Sequence, residues 1–466
     1  MKLLFRGANR EVTGSRHLLQ ANDHMILMDC GMYQGRRDDE KEKNKNFVFK
    51  PEEVDVVLLS HAHIDHSGNL PNLVKQGFSG PIYCTEATKD LLVHMLGDSA
   101  HIQEREAEWI NKRKKKKGEE GLIEPLYTEE DVNDTLLLVQ AVNYEDTFEV
   151  TPGVTACFHE AGHILGSALI ELTIQDKEDG KTKSLTFSGD LGRPNMPLIR
   201  DPYQIKKTDY LMIESTYGNR LHESLLEAQE KLAAVINNTI SRGGRILIPA
   251  FSLGRTQEVV VNIHQLMNDK KIPQIPIYVD SPLSVNVTSV FKKHLDILDE
   301  DVQKNFIEQD DDPFGFECIT YTQSVEESKA LNSIQTPMII ISSSGMVEHG
   351  RILHHLRNAI EDHRNSILIV GYQAQHTLGR KLVEGYKEVN IFGEPHPVKI
   401  EVHVMNAYSA HADRSDLLNY VAQIEHLKKV ILVHGEEESA EDLEKAIHAN
   451  GFQDVVIPHF GDELEL

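Results

Sequence analysis

The six residues from His61 to His66 read His-Ala-His-Ile-Asp-His and place four nitrogen or oxygen ligands for a metal in one short segment. Neutral imidazoles suit zinc, and a His-x-His pair beside an Asp-His pair can serve two metals rather than one. The same residue types also occupy solvated turns, which is the alternative interpretation. Metal binding is favoured because further ligand-type residues follow other predicted strands.

A dinuclear site needs two sets of ligands and usually a bridging carboxylate, with the metals about 3.5–4 Å apart. Taken singly, a Gly-His or a Gly-Asp turn is more typical of ordinary loop structure. Two metals would lower the pKa of a shared water toward ~7 and so supply hydroxide at neutral pH. We predict a first set of His61, His63 and His163, a second set of Asp65, His66 and His411, and Asp190 as the bridge.

The elements that must hold these residues are predicted strands. Val54–Ser60 is a β-branched and leucine-rich run that predicts a buried strand directly before His61. Similar apolar runs precede Asp29 and Asp190, and runs at 154–158 and 168–174 flank the loop that carries His163. Strand and helix patterns alternate almost throughout, which indicates an α/β protein.

From about residue 209 the pattern becomes a repeated order of strand, small polar turn and helix. This order predicts a parallel sheet with ligand loops at its carboxyl edge, and hence a second α/β domain. After about residue 397, apolar runs at 401–405 and 430–433 predict further strands, which end in His411 and His434.

Composition excludes several classes of protein. The 466 residues carry 40% hydrophobic and 26% charged side chains, as ordinary globular proteins do. No apolar run reaches membrane-spanning length, no signal peptide is indicated, and the four scattered cysteines suggest neither disulfides nor a thiolate site, so a reducing cytoplasm is expected. The net charge of −25 argues against nonspecific adhesion to polyanions.

One basic run, Lys112–Lys117, stands out against that charge. We interpret it mainly as a solvated, mobile loop within an exposed insertion around 112–121, with a nucleic-acid contact as the alternative.

These motifs together resemble a known family. The His61–His66 segment, followed by the Gly-His and Gly-Asp loops, resembles the metallo-β-lactamase fold. About 220 residues separate Asp190 from His411, too many for a loop, so a domain has been inserted. Within that interval Glu214, His376 and His411 look like motifs A, B and C of the β-CASP nucleases. The chain resembles bacterial and archaeal relatives of the pre-mRNA 3′-end-processing endonuclease, and more distantly ribonuclease J; Val402–Asp413 resembles their RNA-specificity segment.

The resemblance implies an αββα metallo-β-lactamase sandwich with an inserted α/β domain. The expected segments are 1–208 for the first part of the sandwich, 209–396 for the β-CASP domain and 397–466 for the second part. It also implies one zinc on each of the two ligand sets, with the substrate in a cleft between the two domains.

The resemblance further implies roles for single residues. Asp29 would orient the His61–His66 loop from behind the ligands. His376 would protonate the leaving 3′ oxygen or stabilise negative charge, oriented by Glu214. His434 would support the site from behind the ligands or serve a structural role. The expected catalytic residues are therefore Asp65, Asp190, Glu214 and His376.

Phosphate contacts are predicted at two turns that precede helical patterns, because backbone amides at helix starts favour anions. Arginines beside such turns could hold phosphates by two hydrogen bonds. The candidates are Ser252, Arg255, Ser343, Ser344, Gly345 and Arg380. The RNA-binding domains that precede archaeal relatives, and the C-terminal extension of ribonuclease J, have no counterpart here, which puts extended substrate grip in doubt.

The resemblance implies a zinc-dependent ribonuclease that cleaves single-stranded RNA by attack of metal-bound hydroxide. A DNA nuclease, a small-molecule hydrolase of a thioester or lactam, and an inactive RNA-binding scaffold are the alternatives. No membrane partner is expected. A homodimer is compatible with this kind of enzyme, although nothing in the sequence specifies an interface.

Overall fold

The computed structural model of the chain describes residues 1–34, 37–309, 311–371, 373–374 and 376–466. Two compact units are present. Unit 1 comprises Met1–Pro194, Asp201–Leu221 and Ala410–Leu466, and unit 2 comprises Asn195–Arg200 and His222–Ser409. No helix in the described ranges combines the length and the apolar character needed to cross a membrane.

The strands, in chain order, are β1 (Lys2–Phe5), β2 (His17–Ala21), β3 (His24–Met28), β4 (Val56–Leu58), β5 (Ile82–Thr85), β6 (Val139–Val142), β7 (Thr147–Thr151), β8 (Val154–Glu160), β9 (Ala168–Gln175), β10 (Thr182–Phe187), β11 (Tyr210–Glu214), β12 (Ile246–Pro249), β13 (Ile277–Val279), β14 (Ile319–Tyr321), β15 (Ile339–Ser342), β16 (Ser366–Ile369), β17 (Glu388–Ile391), β18 (Glu394–Pro397), β19 (Glu401–Val404), β20 (Lys429–Val433), β21 (Val455–Val456) and β22 (Glu463–Glu465).

The α-helices are α1 (Arg37–Lys45), α2 (Ile64–Ser67), α3 (Leu70–Lys75), α4 (Glu86–Lys117), α5 (Glu129–Leu138), α6 (Leu225–Ser241), α7 (Arg255–Asn268), α8 (Pro282–Lys293), α9 (Glu300–Asn305), α10 (Val325–Leu331), α11 (Arg351–Ala359), α12 (Leu378–Val383), α13 (Arg414–Ala422) and α14 (Glu437–Ala449).

Unit 1 is built on two sheets of seven strands each. Their orders are β22-β1-β2-β3-β4-β5-β6 and β21-β20-β11-β10-β9-β8-β7. Alternating apolar residues of both sheets, such as Phe5, Met28, Phe158 and Phe187, are buried in a common core. On the far face of the second sheet a further core joins β11 and β20 to helices α13 and α14, while α4 contacts β5 and β6 of the first sheet. This layering is the expected metallo-β-lactamase sandwich.

Unit 2 is built on the six-stranded sheet β14-β13-β15-β12-β16-β19. Every pairing within it is parallel. The central strands β12, β15 and β16 are buried along their whole length, as expected for a sheet covered by helices on both faces. The parallel sheet predicted from the strand–turn–helix order is therefore confirmed.

Two strands lie in different sheets from those that the expected segment limits imply. The segment 209–396 is expected to form the inserted domain, but β11 pairs with β10 and β20 of unit 1. The segment 397–466 is expected to return to the sandwich, but β19 pairs with β16 of unit 2. Hydrogen bonding along a sheet edge, and not the change in sequence texture, sets these limits.

The basic run Lys112–Lys117 is interpreted from the sequence mainly as a mobile loop, and that interpretation is wrong. These residues form the last turns of the 32-residue helix α4, which ends at Gly118 in the left-handed conformation. Lysine and arginine have high helix propensity, and cations are favoured at a helix C-terminus. The loop begins only after Gly118.

Candidate metal centre

Parallel neighbouring strands bring the candidate ligands to one place. Strands β10, β11 and β20 run side by side and in parallel, so their carboxyl ends share one edge of the second sheet. Asp190 follows the first of them, Glu214 ends the second and His434 follows the third. On the first sheet, β3 and β4 are parallel neighbours and lead to Asp29 and His61. The topology thus converts distant sequence positions into one cluster.

The first group of facing ligand atoms consists of three imidazoles and Asp190. His63 Nδ1 lies 3.1 Å from His61 Nε2 and 3.2 Å from His163 Nε2. Asp190 Oδ2 lies 3.6 Å from His61 Nε2 and 3.4 Å from His163 Nε2. Ligands about 2.0–2.1 Å from a tetrahedral zinc lie roughly 3.3–3.4 Å from one another. The four atoms therefore have the spacing of a tetrahedral zinc site.

The second group consists of Asp65, His66 and His434. His434 Nε2 lies 3.2 Å from His66 Nε2 and 3.5 Å from Asp65 Oδ2. The other oxygen of Asp190, Oδ1, lies 3.2 Å from His66 Nε2. Asp190 thus offers one oxygen to each group, which is the arrangement of a bridging carboxylate.

Unmet hydrogen-bonding capacity at the centre also fits a metal. Asp190 is 2% exposed, and within the described residues its Oδ1 accepts no hydrogen bond although the atom is buried. Isolated carboxylates of this kind are expensive to bury unless a cation neutralises them. The facing imidazole nitrogens present the same problem, because His63 Nδ1 cannot share one proton with two neighbours. Zinc, which accepts imidazole and carboxylate ligands, fits both observations.

Asp29 holds the second group from behind. Its Oδ2 accepts a hydrogen bond of 2.7 Å from His66 Nδ1, which leaves His66 Nε2 facing the site. The same carboxylate accepts hydrogen bonds from the backbone and side chain of Ser60, at the start of the ligand loop. Gly31 lies against this loop, and a Cβ at that position would approach Asp65 O to 1.6 Å. The loop is therefore fixed both by hydrogen bonds and by a contact that only glycine permits.

The charges of the side chains follow from their burial and their neighbours. Burial lowers the pKa of His63 to about 4 and holds the pKa values of His61 and His163 well below their usual range. Burial also opposes charge on His66, but the carboxylates of Asp190 and Asp29 outweigh it and raise its pKa. Burial works against ionised Asp65, yet the hydrogen bond with His434 lowers its pKa to about 2. The first group is thus in the neutral form that metals bind.

Glu214 carries a different hydrogen bond from the one that the family resemblance implies. Both of its oxygens lie 3.1 Å from His411 Nδ1, and Leu191 N donates to Oε1 at 2.7 Å. Burial opposes charge on His411, but Glu214 and Asp190 raise its pKa to about 9. The predicted pairing of Glu214 with His376 is therefore replaced by a buried pair of Glu214 with His411.

His411 and His434 exchange the positions expected for them. We predict His411 as a ligand beside Asp65 and His66, but the atoms that meet those two residues belong to His434. His411 is grouped instead with Asp190 and Glu214, and its Nδ1 lies 3.9 Å from Asp190 Oδ2. His434 follows a buried strand, β20, just as Asp190 follows β10, and that shared position is the sequence signal for a ligand.

His376 lies in unit 2, where its side chain is exposed and its backbone has a φ of 71°. It directly precedes Thr377, whose side chain caps helix α12 by accepting from Arg380 N. This placement does not test its catalytic role, which stays a prediction.

The predicted phosphate contacts separate into two kinds. Ser252 and Ser343 come together through a hydroxyl that the sequence does not single out, since Ser281 Oγ lies 3.2 Å from Ser252 Oγ and 3.0 Å from Ser343 Oγ. By contrast Arg255 pairs with Glu258 at 2.6 Å and Arg380 pairs with Glu384 at 2.7 Å.

Ser344 and Gly345 have local roles. Ser344 Oγ accepts hydrogen bonds from the backbone amides of Glu348 and His349. Gly345 lies against the ring of Phe251. Among the described residues, the structure thus brings two of the six predicted phosphate contacts, Ser252 and Ser343, into one hydroxyl cluster.

A second buried carboxylate, Asp280 in unit 2, is absent from the residues that the sequence singles out. Asp280 is fully buried and accepts hydrogen bonds from His355 Nε2 at 2.6 Å, Arg351 at 2.6 Å and two hydroxyl groups, those of Thr322 and Ser328. Burial raises its pKa, but these donors outweigh burial and hold the pKa well below its usual range. The donors lie 42 to 75 residues away along the chain, so no local pattern signals the network.

Fold and site together define a metallo-β-lactamase-type hydrolase with an inserted domain. The family models that match are the metallo-beta-lactamase superfamily at 12–159, the Beta-Casp domain at 256–382 and the Zn-dependent metallo-hydrolase RNA specificity domain at 395–458. The chain is 36% identical over 465 residues to Ribonuclease TTHA0252 of Thermus thermophilus, covering 99% of both chains. It therefore belongs to the β-CASP family of metallo-β-lactamase-fold nucleases and is a metal-dependent hydrolase.

More divergent relatives agree with this assignment. The chain is 32% identical to the Transcription termination factor FttA of Methanosarcina mazei, over 95% of this chain and 68% of that protein. A crystal structure of a protein of unknown function from Enterococcus faecalis V583 matches with a TM-score of 0.56 at 15% identity, over 100% of this chain and 99% of that one. The last similarity shows the fold alone.

Proposed function

We propose that this chain is a zinc-dependent ribonuclease that hydrolyses phosphodiester bonds of single-stranded RNA. The observation that carries the proposal is the pair of ligand groups that share Asp190, each with the spacing of a metal site. The choice of RNA is supported by the match to the RNA specificity domain and by a full-length relative that is named a ribonuclease.

One zinc would be held by His61, His63, His163 and Asp190, and the other by Asp65, His66, His434 and Asp190. Two zinc ions at such a site supply a water of lowered pKa as nucleophile and stabilise charge on the phosphoryl oxygens. The imidazoles of the first group are neutral, and Asp29 fixes the ring of His66, so this part of the centre is preorganised.

His411 takes the role that the family resemblance implies for His376. The pair with Glu214 fixes the His411 ring with Nδ1 toward the carboxylate, so Nε2 is left to face a substrate. A histidine held in this way can donate a proton to the leaving 3′ oxygen. The support is the Glu214–His411 hydrogen bond, and the role of His376 in unit 2 is kept as a separate prediction.

RNA contacts in unit 2 are proposed at the hydroxyl cluster of Ser252, Ser281 and Ser343. Hydroxyl groups can donate to phosphate oxygens and bring no charge of their own. Arg255 and Arg380 are proposed contacts only after release of their glutamate partners, which lowers what each could contribute.

The experiment that tests the function is cleavage of one end-labelled single strand, offered as RNA and as sequence-matched DNA, to zinc-loaded protein. We expect the RNA to be cut and the DNA to be spared, and the product ladder to separate internal from terminal cutting. The His63→Ala variant is the control for contaminating nuclease.

Each alternative predicts a different result. Cutting of DNA at the same rate would establish a nuclease that does not discriminate between the polymers. If neither strand is cut by protein that holds two zinc ions, a thioester or lactam hydrolase becomes the better account. If no zinc is bound, the chain is a scaffold and the proposal is wrong.

A further inference from the structure

The C-terminal end of α4 is a basic surface that the metal centre does not use. Six consecutive basic residues, Lys112–Lys117, close this helix in a chain whose net charge is −25. The only tryptophan of the chain, Trp109, lies one turn earlier and is 57% exposed. An exposed tryptophan beside clustered cations is uncommon on a surface with no partner.

One face of this helix end is fixed to the protein. Asn111 exchanges two hydrogen bonds of 2.8 Å with the backbone of Ile123, and Lys114 Nζ donates to Gly121 O at 3.0 Å. The segment after Gly118 therefore folds back along α4 and holds its last turns in place. The opposite face is presented on a fixed support.

On that opposite face, residues three and four apart line up along the helix. We name the aligned side chains the Trp109 stripe, which consists of Trp109, Lys112, Arg113, Lys116 and Lys117. All five residues are exposed. The Arg113 guanidinium lies 4.6 Å from the centre of the Trp109 ring, so an aromatic plane and a delocalised cation are already stacked.

Helix stability alone does not account for the stripe. The helix dipole favours cations only within the last turn, which covers Lys114–Lys117, whereas Trp109, Lys112 and Arg113 precede it. The ion pairs are weak: Lys112 lies 3.7 Å from Glu108, and Lys117 lies 3.8 Å from Glu119. In the described part of the chain Lys116 takes part in none of the ion pairs. An exposed tryptophan gains nothing from the dipole.

We propose that the Trp109 stripe is a second binding site for single-stranded RNA, separate from the metal centre. A base would stack on the indole, and the lysines and Arg113 would pair with successive phosphates. Aromatic stacking combined with backbone cations is how proteins bind single strands without sequence preference. The inference rests on the proposed function, because it supplies the grip on a long substrate that an acidic chain otherwise lacks.

The test uses the full zinc-loaded chain and an oligouridylate of roughly twenty nucleotides, a length that spans more than one binding subsite. Phosphorothioate linkages slow hydrolysis and keep the charge. Because Trp109 is the only tryptophan, quenching of protein fluorescence reports on this position alone. We expect the RNA to quench it, and the Trp109→Ala variant to bind labelled RNA at least about fivefold more weakly.

The charge contribution is tested with the double variant Lys112→Gln/Lys116→Gln. Glutamine keeps the helix propensity, so the fold is retained. Loss of two phosphate contacts on a single strand should reduce the slope of log K against log salt by ~1.4 and weaken binding roughly twentyfold at about 0.1 M salt. The matched control is Lys177→Gln/Lys181→Gln, two exposed lysines of unit 1 in the β9–β10 turn, which should leave the slope unchanged.

The outcomes separate this inference from the proposed function. RNA that quenches Trp109 but is not cut in its unmodified form would leave the stripe in place and overturn the ribonuclease. RNA that is cut, with Trp109 unquenched and the salt slope equal in both double variants, would overturn the stripe alone. Quenching by anionic lipid vesicles but not by RNA, or loss of a dimer in Lys112→Gln/Lys116→Gln, would overturn it in favour of a membrane or a second copy of the chain.

Discussion

Asp190 in unit 1 and Asp280 in unit 2 are both buried carboxylates, yet their surroundings differ. Asp280 accepts hydrogen bonds from an arginine, a histidine and two hydroxyl groups. Asp190 faces several imidazoles, and its Oδ1 accepts no hydrogen bond in the described residues. The first network is complete without any added group, whereas the second is complete only with a cation. Burial alone therefore does not mark a functional carboxylate; the unmet hydrogen-bonding capacity around it does.

The largest effect is expected from Asp190→Ala. Both ligand groups lose their shared oxygen, so we expect loss of zinc and a fall in RNA cleavage of about a thousandfold or more. Zinc content measured by atomic absorption, together with single-turnover cleavage, checks this. Retention of both zinc ions would show that Asp190 does not bridge and would remove the contrast with Asp280.

The second prediction separates the two histidines that exchange positions. His434→Ala should remove one zinc, whereas His411→Ala should keep both and lose about 10²–10⁴-fold in cleavage rate, as expected for a general acid. His376→Ala, analysed in parallel, tests the catalytic role predicted for that residue. Loss of zinc from His411→Ala would return His411 to the ligand set predicted from the sequence.

Asp280→Ala should act on stability and leave the metal centre intact. The variant leaves the buried His355 and the largely buried Arg351 without their acceptor, and removal of one partner from such a pair costs about 3–5 kcal/mol. Chemical denaturation measures the loss, and the zinc content should stay at the wild-type value. A variant as stable as the wild type would show that the network is dispensable.

Acid should reveal the same contrast more gently. The folded pKa of Asp280 is lowered, so its ionised form stabilises the fold above the unfolded pKa of about 3.9, and that contribution is lost as the pH falls further. We expect the unfolding free energy of the wild type to fall more steeply below about pH 4 than that of Asp280→Asn. Equal slopes would mean that the folded pKa is not lowered.

The smallest effect is expected from Asp29→Ala. Removal of a carboxylate that orients a ligand imidazole typically weakens metal affinity about 10–100-fold without abolishing binding. A competition titration with a zinc chelator measures the shift. No change would show that Ser60 and Gly31 suffice to hold the ligand loop.

The sequence by itself determined much of this protein. The His61–His66 segment sets its own ligands within six residues, and the strands before Asp190, Glu214 and His434 are visible as apolar runs, because a buried strand leaves a local pattern. The parallel sheet of unit 2 follows from the repeated order of strand, turn and helix. The local chemistry and the fold class are therefore properties of the residue pattern alone.

Only the tertiary structure decided which distant residues meet. His411 and His434 both follow segments that lead from unit 2 back to the sandwich, and nothing local distinguishes a ligand from a residue paired with Glu214. The pairing of β11 with β20 places His434 beside Asp65 and His66, and the same pairing draws 210–214 into unit 1. Contacts of this kind depend on sheet neighbours far apart along the chain, and no residue pattern records them.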